Sequence, residues 1–111
     1  MENEKLLRLI LDSWNKPLVF VDSDHIIRYI NAAAKVKHEQ KWGDILGKSI
    51  FDCHNEKSRK IIEEAVEEFK NGKDEIQIVN SPKHRVYISC VRDENGQFIG
   101  YYERYDPPEG R

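Results

Sequence analysis

The pattern of apolar and polar residues predicts a long amphipathic helix in the middle of the chain, over residues 55–70. Its apolar residues recur at intervals of three and four, which places them on one face of a helix. That face consists of Ile61, Ile62, Ala65, Val66 and Phe69. Asn55 is suited to cap the first turn, and Gly72 supplies the positive φ at which helices commonly end. A helix with one apolar face needs an apolar surface to pack against.

A second amphipathic helix is predicted at the N-terminus, over residues 3–14. Its apolar stripe consists of Leu6, Leu7, Ile10, Leu11 and Trp14, and Leu9 widens it. Pro17 ends the helix, because proline disfavours helical geometry in the residue before it. The stripe is wider than the packing of one domain requires, and exposed apolar patches of that kind mark interfaces. We therefore expect these five residues to form the contact surface of a homodimer.

Five further segments have the residue pattern of β-strands. They are residues 18–21, 26–30, 75–80, 84–92 and 98–105. Asn95-Gly96 is a strong hairpin signal, because both residues tolerate positive φ, and His25 is among the non-glycine residues that do so. Two hairpin units flanking the helices predict an α+β fold: a five-stranded antiparallel sheet with helices on one face, preceded by the N-terminal amphipathic helix.

Between the first hairpin and the long helix, the sequence predicts only short helical pieces. Asn31 is suited to cap a short helix that begins at Ala32 and fades along residues 35–41. Gly43 and Gly47 bracket residues 44–46, for which we expect a single helical turn. Segments this short are not stable alone, so they are expected to pack across the sheet.

Composition limits the classes of protein to which the chain can belong. With 111 residues it is expected to form one domain, with an N-terminal helix over 1–16, a body over 17–106 and a flexible tail over 107–111. The formal net charge of −2 gives no electrostatic reason to expect nucleic acid or an acidic membrane surface as partner. No apolar run reaches the ~18–20 residues of a membrane span, and the N-terminus does not resemble a signal peptide. We therefore expect a cytoplasmic location.

Three segments, in order, resemble the PAS domain. They are PLVFVDSDHIIRYINAAA (17–34), GDILGKSIFD (43–52) and VRDENGQFIGYYERYD (91–106). The entrance to the long helix is similar to that of PAS domains that accompany hemerythrin-like regions. The resemblance implies that residues 17–106 form a PAS domain that encloses a cavity between its sheet and long helix. It also implies a sensory or interaction role, and pairing of two copies through the N-terminal helix.

The chain departs from the family pattern at three places. His25 replaces the glycine common in the first hairpin turn, and no helical linker follows Asp106. Nothing between Asn31 and Leu46 resembles the cysteine motif of photosensory members, so a flavin cofactor is not expected.

No catalytic motif is present in the sequence, so we do not expect an enzyme. Cys53 and Cys90 lack the spacing of a zinc site and are expected to be free thiols, with no metal bound. Cys53-His54 stands at the entrance to the long helix. We expect His54 to point toward the cavity and Cys53 to be a buried, unreactive thiol.

The expected ligand-binding residues surround the cavity that the resemblance implies. They are His54, Ile62, Val66, Phe69, Trp42, Ile88 and Cys90. Three functions remain open on the sequence alone. The first is a sensor that binds a small molecule and acts through a homodimer or a signalling partner, and the second is a dimerisation adaptor with a filled core. The third is a haem-based redox or gas sensor, for which His54 is the candidate iron ligand.

Overall fold

The computed structural model describes residues 1–53 and 55–107, except the side chains of residues 39–42 and 53. Three α-helices, a short 3₁₀ helix and five strands follow one another along this part of the chain. The helices are α1 (Asn3–Ser13), α2 (Ala32–Trp42), the 3₁₀ helix η1 (Ile50–Cys53) and α3 (Glu56–Lys70). The strands are β1 (Leu18–Asp22), β2 (Ile27–Ile30), β3 (Glu75–Asn80), β4 (Arg85–Arg92) and β5 (Phe98–Asp106).

The strands form one five-stranded antiparallel sheet in the order β2-β1-β5-β4-β3. The β1–β2 hairpin and the β3-β4-β5 meander join where β1 pairs with β5, so that Asp22 lies opposite Gly100. A Cβ atom at Gly100 would lie 2.3 Å from the carbonyl oxygen of Val21. Only glycine therefore allows the two units to approach this closely at that position. The predicted α+β fold is confirmed.

The hydrophobic core lies between one face of the sheet, called here the inner face, and the helical layer. Helix α3 contributes the buried residues Ile62, Ala65, Val66 and Phe69. The strands contribute Val19, Val21, Ile27, Ile88 and Tyr101, and Ala34, Ile45 and Ile50 complete the cluster. The apolar face predicted for the long helix is thus the face that packs, with Ile61 at its half-buried margin.

The predicted ends of α3 are confirmed in detail. The Asn55 side chain accepts a hydrogen bond from the backbone N–H of Ser58, as an N-cap does. At the other end Gly72 has φ +104°, and the Lys73 N–H donates to the carbonyl of Glu68. This pattern of a left-handed residue after the helix satisfies carbonyls that would otherwise lack partners.

The segment between β2 and α3 differs from the prediction. Helix α2 runs for 11 residues instead of fading after its first turn, and the predicted helical turn at residues 44–46 is absent. The prediction for residues 44–46 was wrong because the backbone next to them bonds to strand β2. The Gly47 N–H donates to the carbonyl of Ile27, and the Ile27 N–H donates to the carbonyl of Lys48. A single helical turn would have to give up these tertiary hydrogen bonds.

Asn31, fully buried between β2 and α2, connects three elements through one side chain. Its Oδ1 accepts from the backbone N–H groups of Leu18 and Ala34, at 2.9 and 3.0 Å. Its Nδ2 donates to the carbonyl oxygens of Leu11 and Lys16, at 3.0 and 2.9 Å. The predicted cap of α2 therefore also holds the start of β1 and the C-terminal end of α1.

Replacing Asn31 with alanine should destabilise the fold severely. Asn31→Ala leaves the buried backbone N–H groups of Leu18 and Ala34 without this acceptor and removes two further hydrogen bonds, so we expect the free energy of unfolding to fall by about 3 kcal/mol. Asn55→Ala is the matched control, because it removes the same side chain from an exposed cap and should cost about 1 kcal/mol. Chemical denaturation followed by circular dichroism measures both. Equal losses in the two variants would contradict the role assigned to Asn31.

His25 has the positive φ, +65°, that its place in the β1–β2 turn requires. Its ring lies 4.6 Å from the ring of Phe51 in η1, and its Nδ1 lies 2.9 Å from the hydroxyl oxygen of Tyr101 in β5. Burial lowers the pKa of His25; nearby Glu63 and Asp22 oppose this shift, whereas Arg59 and Lys70 reinforce it. The neutral imidazole is therefore the form that the fold favours.

The stability of the protein should consequently depend on the protonation of His25. The unfolded chain binds a proton to this residue near pH 6.5, whereas the folded chain does so only at a lower pH. The contribution of His25 is thus complete above about pH 6.5 and is lost as the pH falls from there to the lowered pKa. His25→Asn retains tolerance of positive φ but does not titrate. Denaturation at a series of pH values should show the stability difference between the parent and this variant changing in that window; a constant difference would contradict it.

Candidate functional site

A cavity of about 240 Å³ lies between α3 and the inner face of the sheet, at the end where α3 begins. Its apolar wall consists of Ile61, Ile62, Ile78, Val79 and Val86. Its polar lining consists of Lys37, Ser58, His84, Glu103 and Tyr105. A largely apolar pocket with a few convergent polar groups is the usual form of a small-molecule site.

Glu103 distinguishes this cavity from ordinary core packing. Among the residues whose burial is described, it is the one charged side chain that is buried, at 8% exposure. The hydroxyl of Tyr105 donates to its Oε2 at 3.2 Å. Burial and the adjacent carboxylate both raise the pKa of Tyr105, so the phenol stays protonated and remains a donor.

Lys37 brings a positive charge from α2 to the same group of residues. Its Nζ lies 3.6 Å from the centre of the Tyr105 ring, on the ring face that attracts cations. Partial burial lowers the pKa of Lys37, and the negative charge of Glu103 counteracts this shift. The ring centre of His84 lies 5.9 Å from that of Tyr105. One aromatic ring therefore organises an acid, an ammonium group and an imidazole.

The residues predicted to bind ligand are distributed between the cavity and the core. Ile62 lines the cavity, whereas Val66, Phe69 and Ile88 are buried in the core cluster and Cys90 packs against its margin. Burial raises the pKa of the Cys90 thiol, which keeps it in the less reactive form. His54 and the side chains of Trp42 and Cys53 lie outside the described part of the chain, so their predicted roles, including haem ligation by His54, stay predictions.

Sequence reasoning missed the polar half of the cavity. The available signal was the period of two in β5, which places Tyr101, Glu103 and Tyr105 on the same face. An acidic residue between two tyrosines on a core-facing strand indicates either a site or a buried ion pair. No comparable signal identifies Lys37 or Ser58, because the packing of α2 and α3 brings them to β5.

The predicted interface helix α1 leaves most of its apolar stripe in solvent. Leu6, Leu7, Ile10 and Trp14 are exposed, and Leu11 is half-buried. Leu11 and Trp14 also border a groove on the opposite, outer face of the sheet. The remaining residues of that groove are Leu18, Phe20, Tyr29 and Tyr102. This surface remains apolar in the isolated chain.

The described part of the chain has neither a metal-binding cluster nor a membrane-spanning helix. Within residues 1–53 and 55–107, no group of three or more histidine, cysteine, aspartate or glutamate side chains is arranged to hold a metal ion. In the same part of the chain, no helix has both the length and the apolar character needed to span a bilayer.

Solved structures with the same fold cover nearly the whole chain. The C-terminal domain of a Streptococcus mutans protein superposes with a TM-score of 0.73 and 23% identity, over 96% of this chain and 89% of that one. The PAS domain of a Colwellia psychrerythraea protein superposes with a TM-score of 0.66 and 14% identity, over 99% of this chain and 100% of that one. A sensory box sensor histidine kinase from Vibrio cholerae superposes with a TM-score of 0.64 and 14% identity, over 95% of this chain and 88% of that one.

Sequence comparison agrees with the fold. No curated protein matches the chain. A family model described as the PAS domain matches residues 7–105, which include all five strands except the last residue of β5 and also the second half of α1. The chain therefore belongs to the PAS domain family.

Proposed function

We propose that this PAS domain is a sensory module that binds a small molecule in the cavity between α3 and the sheet. The observation that carries the proposal is the buried Glu103 in the cavity wall, beside Lys37 and Tyr105. Burying a charged group costs free energy, and a buried carboxylate in a cavity wall is the kind of polar group that fixes the orientation of a small molecule. Under this proposal the domain binds its ligand without catalysing a reaction, and the protein is located in the cytoplasm.

Ligand binding can reach the rest of the domain through the elements that line the cavity. Ser58 and Ile61 belong to the first turns of α3, and Lys37 belongs to α2, so a ligand contacts both helices as well as the sheet. A ligand that fits one packing of these helices better than another shifts the population toward that packing. A signalling partner or a second copy of the chain would then respond to the altered surface.

Filling the cavity should abolish ligand binding. Ile62 is 2% exposed and lines the cavity, so Ile62→Trp should place its indole there and displace the ligand. Lys60→Trp is the matched control, because it adds the same ring on the exposed side of α3. Mass spectrometry of denatured extracts should detect a small molecule that co-purifies with the parent and with Lys60→Trp but not with Ile62→Trp.

Two results would contradict the sensor. If no preparation contains a small molecule and Ile62→Trp unfolds, the core is filled and the domain is an adaptor. A Soret band in the visible spectrum of the purified parent would instead favour the haem sensor.

We further propose that α1 forms the interface of a homodimer. Four of its five predicted contact residues are exposed, although apolar side chains of this size are normally buried in a monomer. The outer-face groove beside Leu11 and Trp14 continues the same apolar surface onto the sheet. A second copy of the chain would cover both.

Two positive charges introduced on the exposed apolar stripe of α1 should dissociate the proposed homodimer. The double variant Leu7→Lys, Ile10→Lys leaves the carbonyl of Leu11 bonded to Asn31, so the domain should fold and light scattering should report a monomer. Val36→Lys is the control, because Val36 is a comparably exposed apolar residue on α2. A dimer that survives the double variant, or a monomeric parent, would contradict this interface.

A further inference from the structure

We propose that the cavity selects an α-amino acid with an aliphatic side chain, a zwitterion whose ammonium group binds Glu103 and whose carboxylate binds Lys37. This inference rests on the proposed function, since it names the chemical class of ligand for the same cavity. It follows from three features: the opposite charges in the lining, their closeness to one another, and the character of the opposite wall.

The two opposite charges meet at one side chain. Tyr105 donates from its hydroxyl to Glu103, and its ring face lies 3.6 Å from the ammonium nitrogen of Lys37. Both charges therefore lie within the dimensions of one tyrosine side chain and its immediate contacts. A ligand that addresses both must carry its own opposite charges on neighbouring atoms, as an α-amino acid does.

Ligands with a single charge fit this lining less well. An anion that pairs with Lys37 brings its charge close to Glu103, and a cation that pairs with Glu103 is repelled by Lys37. A wholly apolar ligand would take water from the Lys37 ammonium group without replacing it, which costs free energy. A zwitterion places an opposite charge beside each of the two groups and forms charge-assisted hydrogen bonds with both.

The first turn of α3 also favours this orientation, with the carboxylate of the ligand toward the helices and its ammonium group toward Glu103. Ser58 is the third residue of α3 and lines the cavity, close to the positive end of the helix dipole. A carboxylate is stabilised there, and the serine hydroxyl is available as a donor. Glu103 lies on β5, so the acceptor for the ammonium group comes from the sheet.

The remaining wall specifies the side chain of the amino acid. Ile61, Ile62, Ile78 and Val86 present aliphatic surface from α3, β3 and β4. The volume of about 240 Å³ is below the ~300–1,000 Å³ typical of sites for drug-sized ligands, which suits a compact molecule. A branched aliphatic side chain buries its surface here without needing further polar partners.

Calorimetric titration of the full chain tests the inference with L-leucine as the probe. Two analogues each lack one charge: 4-methylpentanoate lacks the ammonium group, and 3-methylbutylamine lacks the carboxylate. Each should bind roughly tenfold or more weakly than L-leucine, the scale of one hydrogen bond to a charged group. Equal affinity for all three compounds would overturn the assignment of the two charges.

Two variants assign each charge of the ligand to its partner. Glu103→Gln should weaken L-leucine roughly tenfold or more, whereas 4-methylpentanoate should bind at least as tightly as it binds the parent, because the repulsion by Glu103 is removed. Lys37→Met should weaken L-leucine to a similar degree, whereas 3-methylbutylamine should bind at least as tightly as it binds the parent, because the repulsion by Lys37 is removed. Thermal unfolding shows whether each variant is folded, and Lys37 on α2 provides the test if Glu103→Gln is not. L-leucine that binds both folded variants and Ile62→Trp as it binds the parent would overturn the inference.

The outcomes separate this inference from the proposed function. If L-leucine does not bind but another co-purifying molecule is displaced by Ile62→Trp, the zwitterion is wrong and the sensory cavity stands. If neither L-leucine nor any co-purifying molecule binds the parent, both are wrong.

Discussion

The arrangement of this domain depends on the buried side-chain amide of Asn31. One amide satisfies two donors and two acceptors of the backbone, at the ends of α1, β1 and α2. The N–H groups of Leu18 and Ala34 are buried, and helix and strand ends are where backbone groups need side-chain partners. Because the four bonds share one side chain, α1 and α2 take a fixed position relative to β1. That position brings Lys37 of α2 to the inner face of β5.

Strand β5 joins the two halves of the sheet and also carries part of the cavity lining. Strand β1 pairs with β5, and Gly100 allows the two backbones to approach closely at the end of this pairing. Strand β5 carries Tyr101 toward His25, and Glu103 and Tyr105 toward the cavity. Alternate residues of β5 thus support the core at one end and the candidate site at the other. A ligand at Glu103 would act on a strand that is central to the sheet.

On the outer face of the sheet, charged side chains form ion pairs with one another. Arg104 forms ion pairs with Glu75 and Asp106 and lies 4.5 Å from the ring of Tyr87. Ser89 also donates to Glu75, so these polar groups are satisfied within the sheet itself. Exposed pairs of this kind contribute little to stability, but they fill the polar part of this face. The apolar surface that remains uncovered lies beside α1, where the second copy is proposed to bind.

Local patterns in the sequence determined the elements, since helical and strand periods, caps and turns depend on residues near one another in the chain. The faces of α3, its Asn55 cap, the positive φ of His25 and both hairpin units were predictable for that reason. The tertiary structure alone decided the length of α2, the absence of a helical turn at residues 44–46 and the lining of the cavity. These depend on contacts between distant segments, such as Ile27 with Gly47 and Lys37 with Tyr105. No local period encodes such contacts, so the acid and ammonium of the candidate site meet only in the folded chain.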